Sequence, residues 1–322
     1  MNKINYLTCF LMLVWCGASA VAQTKFPDKP LRLIVPFAPG GGVDAAARLM
    51  AKQLHASLAV PVVVDNRPGA NGTIGGKVVQ TASADGYTLL FSAATHIVTK
   101  LVTANPPYDP VTDFEAVARV GEAPLLMVIA PNLAARKLTE VIEAARQQPD
   151  KWTAGIPALG APSHLATLLV ARQGNLKLTT VSYKGTAPAL ADVAGGHIQM
   201  LIDSIVSLMP MAKGGRVRPI VTTAAKRSGV MPEVPTAVES GFPGLVYGSW
   251  YGLWAPKGTP EERVRFLNKA ANDAVLEQVK SGSFAALGIE PVTESSVQFR
   301  KIIAAETGQN AELLKSAGFK AE

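Results

Sequence analysis

The chain is predicted to be an α/β protein of two domains, on three observations. Short apolar segments alternate with amphipathic helical ones along nearly its whole length. That alternation restarts near Pro124 and resumes near Gly248. The segments following the strands are built from glycine, proline and small polar residues. The two crossings place one domain at residues 23–123 plus 248–322 and the other at 124–247, with a hinge between them.

The first domain is organised around Leu31 to Asp44. An apolar run, Leu31 to Val35, passes through Pro36-Phe37-Ala38-Pro39-Gly40-Gly41-Gly42 into a segment whose Ala47, Met50, Leu54 and Leu58 recur at helical spacing. This reads as strand, tight loop and helix. Glycines leave backbone N–H groups bare, and the helix adds its unpaired first amides and its dipole, so the loop is an anion pocket. An ordinary strand-to-helix turn would use the same residues. Val60 to Asp65 reads as a buried parallel strand, Asn66 to Gly72 as a turn, and a second helix begins near Ile74. After the Asp85-Gly86 turn, the strand Tyr87 to Phe91 ends in Ser92-Ala93-Ala94-Thr95-His96. In open parallel sheets, ligands sit beyond the carboxyl ends of strands, where such segments converge.

The second domain repeats the device. Leu125 to Pro131 is a strand, Thr139 to Gln148 a helix, and Trp152 to Ile156 a strand leading through Pro157–His164 into a helix, Leu165 to Ala171. Ser163 is placed to cap that helix. The strand Leu178 to Tyr183 runs into Lys184-Gly185-Thr186 and a helix through Leu190, bringing a phenol and an ammonium to the amides. Gln199 to Ser204 ends a strand with Asp203, placed to orient a water or a hinge contact. Pro219 to Thr223 is a further strand, Val230 to Pro243 a connector, and Tyr247 to Pro256 the return to the first domain. Thr259-Pro260-Glu261-Glu262 has the form of a capping box with proline at the first helical position. Val264, Leu267, Ala271, Val275 and Val279 form the apolar face that follows, and a last helix capped by Ser295 and Gln298 reaches Ser316.

Residues 1–22 read as a secretory signal peptide: Lys3, an apolar core from Leu7 to Trp15, and small residues from Ala18 to Ala22, with cleavage before Gln23. The apolar run is too short to span a bilayer. Cys16 raises a lipoprotein alternative, against which Trp15 is a poor fit. Cleavage removes both cysteines, Cys9 and Cys16, so the exported protein has no disulfide. Lys and Arg number 31 against 24 Asp and Glu, for a net charge of +7, but they are dispersed and never interleaved with aromatics. That disfavours nucleic acid and favours attraction of small anions, or mere solubility.

A rival reading takes Gly40-x-Gly42-x-x-Ala45, with Asp65 ending the next strand, as the fingerprint of a dinucleotide-binding oxidoreductase. Pro36-Phe37-Ala38-Pro39 lengthens the turn against it, and export removes the protein from nicotinamide cofactors. The Lys77 region lacks the glycine and hydroxyl residue of a phosphate loop. There is no Gly-x-Ser-x-Gly elbow, no His-Glu-x-x-His helix and no His/Cys/Asp/Glu cluster, so neither catalysis nor a metal or cofactor is expected. Repeats that would mark a structural or adhesive protein are also lacking.

Six motifs recur in order: Phe26-Pro27-Asp28-Lys29-Pro30, Val35 to Gly42, Asp65-Asn66-Arg67-Pro68-Gly69-Ala70, Pro107-Tyr108-Asp109-Pro110, Tyr183 to Leu190, and Trp250-Tyr251-Gly252-Leu253. Together they resemble the substrate receptors of tripartite tricarboxylate transporters, the Bug family, over essentially the whole mature chain. The resemblance implies a periplasmic, type II-like two-domain clamshell, each domain a mainly parallel sheet flanked by helices. It further implies a monomer that closes on a small organic acid and delivers it to membrane permease subunits. It carries ligand contacts onto Phe37, Ala38, Pro39, Gly40, Gly41, Gly42 and Asp44. Ser92, Ala93, Thr95 and His96 follow, then Gly160, Ala161, Ser163 and His164, then Tyr183, Lys184, Gly185, Thr186 and Asp203. Val43 stands where the family commonly has Ser or Thr, and His96 replaces an Asn-Pro pair.

Each candidate also has an ordinary structural reading. His96 and His164 fit loop or cap positions, His55 and His197 helix surfaces, Lys184 a surface charge, and Asp203 a buried acceptor. Trp250 and Tyr251 fit hinge or core volume. No Lys or Arg lies between Arg32 and Arg48. Affinity is therefore expected to depend on loop amides more than on one basic side chain, and a side chain added at Gly41 is expected to damage it.

Overall fold

The computed structural model describes residues 26–321. The signal peptide expected at 1–22, its cleavage before Gln23, and Cys9 and Cys16 lie outside these residues. From the N-terminus come β1 (Leu31–Val35), α1 (Gly42–Leu58), β2 (Val62–Asn66), α2 (Thr73–Gln80), β3 (Thr88–Ala93) and α3 (Thr99–Val102). Next are β4 (Phe114–Ile129), α4 (Leu138–Gln147), β5 (Thr153–Ile156), α5 (Pro162–Gly174), β6 (Thr179–Ser182), α6 (Thr186–Gly195), β7 (Met200–Ser204), α7 (Ile205–Lys213) and β8 (Arg218–Thr222). The chain closes with β9 (Gly248–Pro256), α8 (Glu261–Lys280), α9 (Ser283–Leu287), β10 (Glu290–Pro291) and α10 (Ser296–Ser316).

The α/β class is as the sequence predicts. One curled sheet runs β2-β1-β3-β9-β4-β7-β5-β6, with β8 and β10 also paired to β4. Its spine is β4, whose 16 residues form one unbroken strand. From Phe114 to Pro124, β4 pairs antiparallel with β9; from Leu125 to Ile129 it pairs antiparallel with β7. Pro124 lies opposite Gly248, where the sequence pattern places its crossings. The sheet is mixed rather than mainly parallel. Parallel pairs flank β1 and β5, whereas β9, returning along the chain, runs against both β3 and β4. The segment before Leu125 gave no separate strand signal, yet it supplies most of β4.

Local expectations meet tertiary context in three places. The strand at Val62–Asn66 is parallel to β1 as expected, but it is the sheet's edge and not buried, with Val63 50% exposed. Ser295 and Gln298 do form the capping box. The sequence Thr259–Glu262 does not: Pro260 occupies the cap position, and Thr259 Oγ1 donates 2.8 Å to the Pro256 carbonyl. Val264, Leu267, Ala271 and Val275 face the core, while Val279 in the last turn of α8 is exposed. An aromatic core gathers Trp250, Trp254, Phe299, Tyr108 and Phe114, with His96 set against Tyr108, Phe114 and Trp254. Phe299 meets Trp250 edge-on and Trp254 at a tilt, with centroids 5.4 and 5.3 Å away. Phe299→Ala should therefore cost about 3–5 kcal/mol of unfolding free energy. Urea titration measures this, and a loss below about 1 kcal/mol would show that the cluster does not hold α10 to the sheet.

Candidate functional site

Two loops of the same build face one another. In the first, Gly40 has φ +86°, a left-handed conformation costly for other residues, and its N–H donates 3.0 Å to Asp44 Oδ2 in the first turn of α1. In the second, Gly160 has φ +70° and its N–H donates 3.0 Å to His164 Nδ1 in the first turn of α5. In both, a side chain four residues on pins the glycine. The amides of Val43 and Asp44 and those of Ser163 and His164 have no acceptor among the described residues, as first-turn amides lack a carbonyl four residues back.

These helix starts open onto a cavity of about 40 Å³. From the first loop it is lined by Phe37, Gly41, Gly42, Val43 and Asp44, and from the end of β3 by Ala93 and Thr95. Pro157, Ala158, Ala161, Pro162 and Ser163 line it from the second loop, with Gly185, Thr186 and Asp203 beyond. The lining contains no Lys, Arg or His. Contacts also cross the cavity's rim: Gly42 N–H donates 2.6 Å to Ser207 Oγ, and Leu159 N–H donates 3.2 Å to Asn71 Oδ1. A larger space of about 1060 Å³ borders Pro124, Tyr247 and Gly248 beside α10. The free amides do not converge there, so the smaller cavity is the candidate site.

Nine of the residues singled out from sequence stand off the lining. Ala38, Pro39 and Gly40 lie on the outer side of the first loop, whereas Gly160 is buried against Val98 and Val102. Ser92 is buried within β3, its hydroxyl unpaired. His96 is enclosed by Tyr108, Phe114 and Trp254, so it is a core residue. His164 serves Gly160 and packs edge-on against Phe319. Tyr183 donates 2.7 Å to Asp192, and Lys184 is exposed. Ser163 does not cap α5, since Ala161 holds that position; its buried Oγ has no partner. Asp44 lines the cavity chiefly as a clamp, accepting also from Arg48 at 2.9 Å and Asn66 at 3.0 Å. The sequence reading missed Pro157, Ala158, Pro162, Ser204, Ser207, Ser249 and Tyr251. Tyr251 OH meets Ser204 Oγ at 2.8 Å, a pairing made only by the β9 and β7 registers.

Gly41 itself carries no left-handed strain and has room for a Cβ. Gly41 has φ −83°, and a Cβ there would sit 3.6 Å from Thr186 Oγ1. The close approach is at Gly42, where a Cβ would lie 2.7 Å from Ser207 Oγ and 3.0 Å from Tyr251 OH.

Burial sets the acid–base character of the site. It would raise Asp44, but the donors Arg48, Gly40 and Asn66 hold this carboxylate below its usual range. Among the described residues, Asp203 has no cationic partner. Burial pushes it up to about 6, against hydrogen bonds from the Thr186 hydroxyl and the Ser204 amide. Burial lowers His96 to about 3 and His164 to about 4. Asp65 is held below its usual range by Arg32 and, despite burial, by Arg67; engaged in these ion pairs, it is not placed to take a ribose.

Fold and site thus define a two-sided binding protein of the periplasmic type, in which opposed helix starts face a closed cleft. The chain belongs to the tripartite tricarboxylate transporter receptor family, TctC, whose profile matches residues 46–319. It is 34% identical over 305 residues to protein BugT of Bordetella pertussis, covering 94% of each chain. Among solved structures it superposes with TM-score 0.89 on an R. palustris protein with adipate, at 33% identity and covering 92% of this chain and 100% of that one. MatC of Rhodopseudomonas palustris with bound malate gives TM-score 0.84 at 31% identity, covering 90% and 100%. This family consists of periplasmic solute-binding receptors, which is not an enzyme class.

Acid should destabilise the fold through its buried imidazoles. Their folded pKa values lie below 6.5, so the unfolded chain takes up these protons first. Their contribution is complete above that pH and is lost as pH falls toward 4 and 3. His96→Phe should shift the midpoint of acid unfolding downward, followed by tryptophan fluorescence; an unchanged midpoint would remove His96 from this account.

Proposed function

We propose that the chain is exported by its signal peptide and captures a small organic carboxylate, as a monomer, for the permease subunits of a tripartite transporter. The observation that carries this reading is the convergence of free amides from α1 and α5 on a lining without a basic side chain. Helix starts favour an anion by dipole and by donor geometry, and need no lysine to do so. The adipate and malate complexes of its relatives support the same ligand class. The portions of the sheet on either side of Pro124 and Gly248 act as the two domains, 23–123 plus 248–322 and 124–247, and β4 and β9 are the hinge strands. Closing them brings Gly42 to Ser207 and Leu159 to Asn71. Hinge closure of this kind is the established motion of periplasmic binding proteins. An oxidoreductase is not favoured, because Asp65 is engaged by Arg32 and Arg67 where a dinucleotide's ribose would need it, and the family match is to transporter receptors.

A thermal-shift screen of small acids, sugars and amines tests the ligand class. A ligand at about a hundred times its dissociation constant stabilises by about 2.7 kcal/mol. Stabilisation by mono- or dicarboxylates is expected, and a response to neutral sugars or amines alone would overturn the reading. Within the site, calorimetry on folded variants should show Gly42→Ala losing more affinity than Lys184→Ala. The new methyl collides with Ser207 and Tyr251, whereas Lys184 is exposed and off the lining. An equal or greater loss from Lys184→Ala would transfer the anion's recognition to that ammonium.

A further inference from the structure

We propose that the cavity binds its carboxylate together with a proton, which Asp203 holds as a neutral carboxyl against Thr186 while the anion is present. This rests on the carboxylate reading of the site and adds its pH regulation. Asp203, next to last in β7, is partly buried and lines the cavity. It accepts from the Thr186 hydroxyl and, at 2.8 Å, from the Ser204 amide. A carboxylate can accept about four hydrogen bonds, so two leave it under-satisfied for its charge. Across β4 its neighbour is Leu126, which offers nothing.

The other titratable groups around the cavity do not relieve it. Asp44 on α1 is committed to Arg48, Gly40 and Asn66 and stays ionised. On β9, burial holds the Tyr251 phenol protonated well above its usual range, and its partner is Ser204. His164 on α5 is neutral and turned to Gly160. On α6, Asp192 accepts from Tyr183, and Lys184 just before that helix is exposed. Among the described residues, an anion entering this space therefore meets a partly buried carboxylate with no cation on the lining to offset it. Two like charges cannot both persist there, so the more easily protonated one is neutralised. With Asp203 near 6 before binding, the proton is within reach at neutral pH. Neutral Asp203 can donate to Thr186, and the Thr186 hydroxyl hydrogen, no longer committed to Asp203, is free to point at the ligand.

Calorimetry with malate and adipate at pH of about 6.5 and about 8.5 tests this, in two buffers of different ionisation enthalpy. Both acids are essentially ionised across this range, so the slope belongs to the protein. Affinity should weaken on the order of tenfold toward the higher pH, with a heat that reports proton uptake. Asp203→Asn, whose amide can donate like the neutral acid, should flatten the profile. The buffer dependence of the native protein needs no variant. Binding with a flat profile, or with proton release, would overturn the proposal while leaving the carboxylate reading intact. Tighter binding of aspartate than malate with proton release would make Asp203 a counter-ion for a ligand ammonium, and would also overturn it. No binding of any carboxylate at either pH would remove the site reading and this proposal together.

Discussion

The structure depends on the pinning of two helix starts. The amides at the start of a helix are strong donors with nowhere to go, and they become a binding surface only if the preceding loop is held off them. Gly40 and Gly160 hold their loops off by adopting left-handed conformations, each locked by an acceptor four residues later. Asp44 and His164 differ in chemistry but do the same work, because both present an acceptor at neutral pH. Asp44 does so by ionising beside Arg48, and His164 by staying neutral through burial. Neither is chiefly a ligand group; each keeps its neighbours' amides available.

Facing these starts across a closed cleft requires that the chain cross between its halves in register. β4 accomplishes this by remaining one strand while changing partners at Pro124, and β9 returns beside it. Its proline has no N–H to contribute to a ladder, which suits the position at which partners change. Hydroxyls on either side of this crossover, Ser204 and Tyr251, then share a hydrogen bond at the cavity. The lining there is polar and without a cation, and Asp203 is its carboxylate that no arginine relieves.

What the sequence determined by itself was what short-range patterns control. Strand–loop–helix units are encoded in apolar spacing and in glycine and proline positions, so β1 with α1, the Ser295 capping box and, to within three residues at each end of the helix, β5 with α5 were legible. The change of β4's partners at Pro124, opposite Gly248, coincides with the restart of that pattern. Tertiary structure alone decided which units became neighbours. Nothing local distinguishes an edge strand such as β2 from an interior one. Nor does anything local tell His96, sealed among aromatics from β4, β9 and the segment before β4, from a histidine open to a ligand. Tyr251 and Ser207 reached the cavity because strand register and helix packing carried them there across long sequence separations. Charge compensation divides the same way: Arg48 stands four residues after Asp44 on one helix, a pairing that spacing itself carries, whereas only folding left Asp203 with a hydroxyl and an amide.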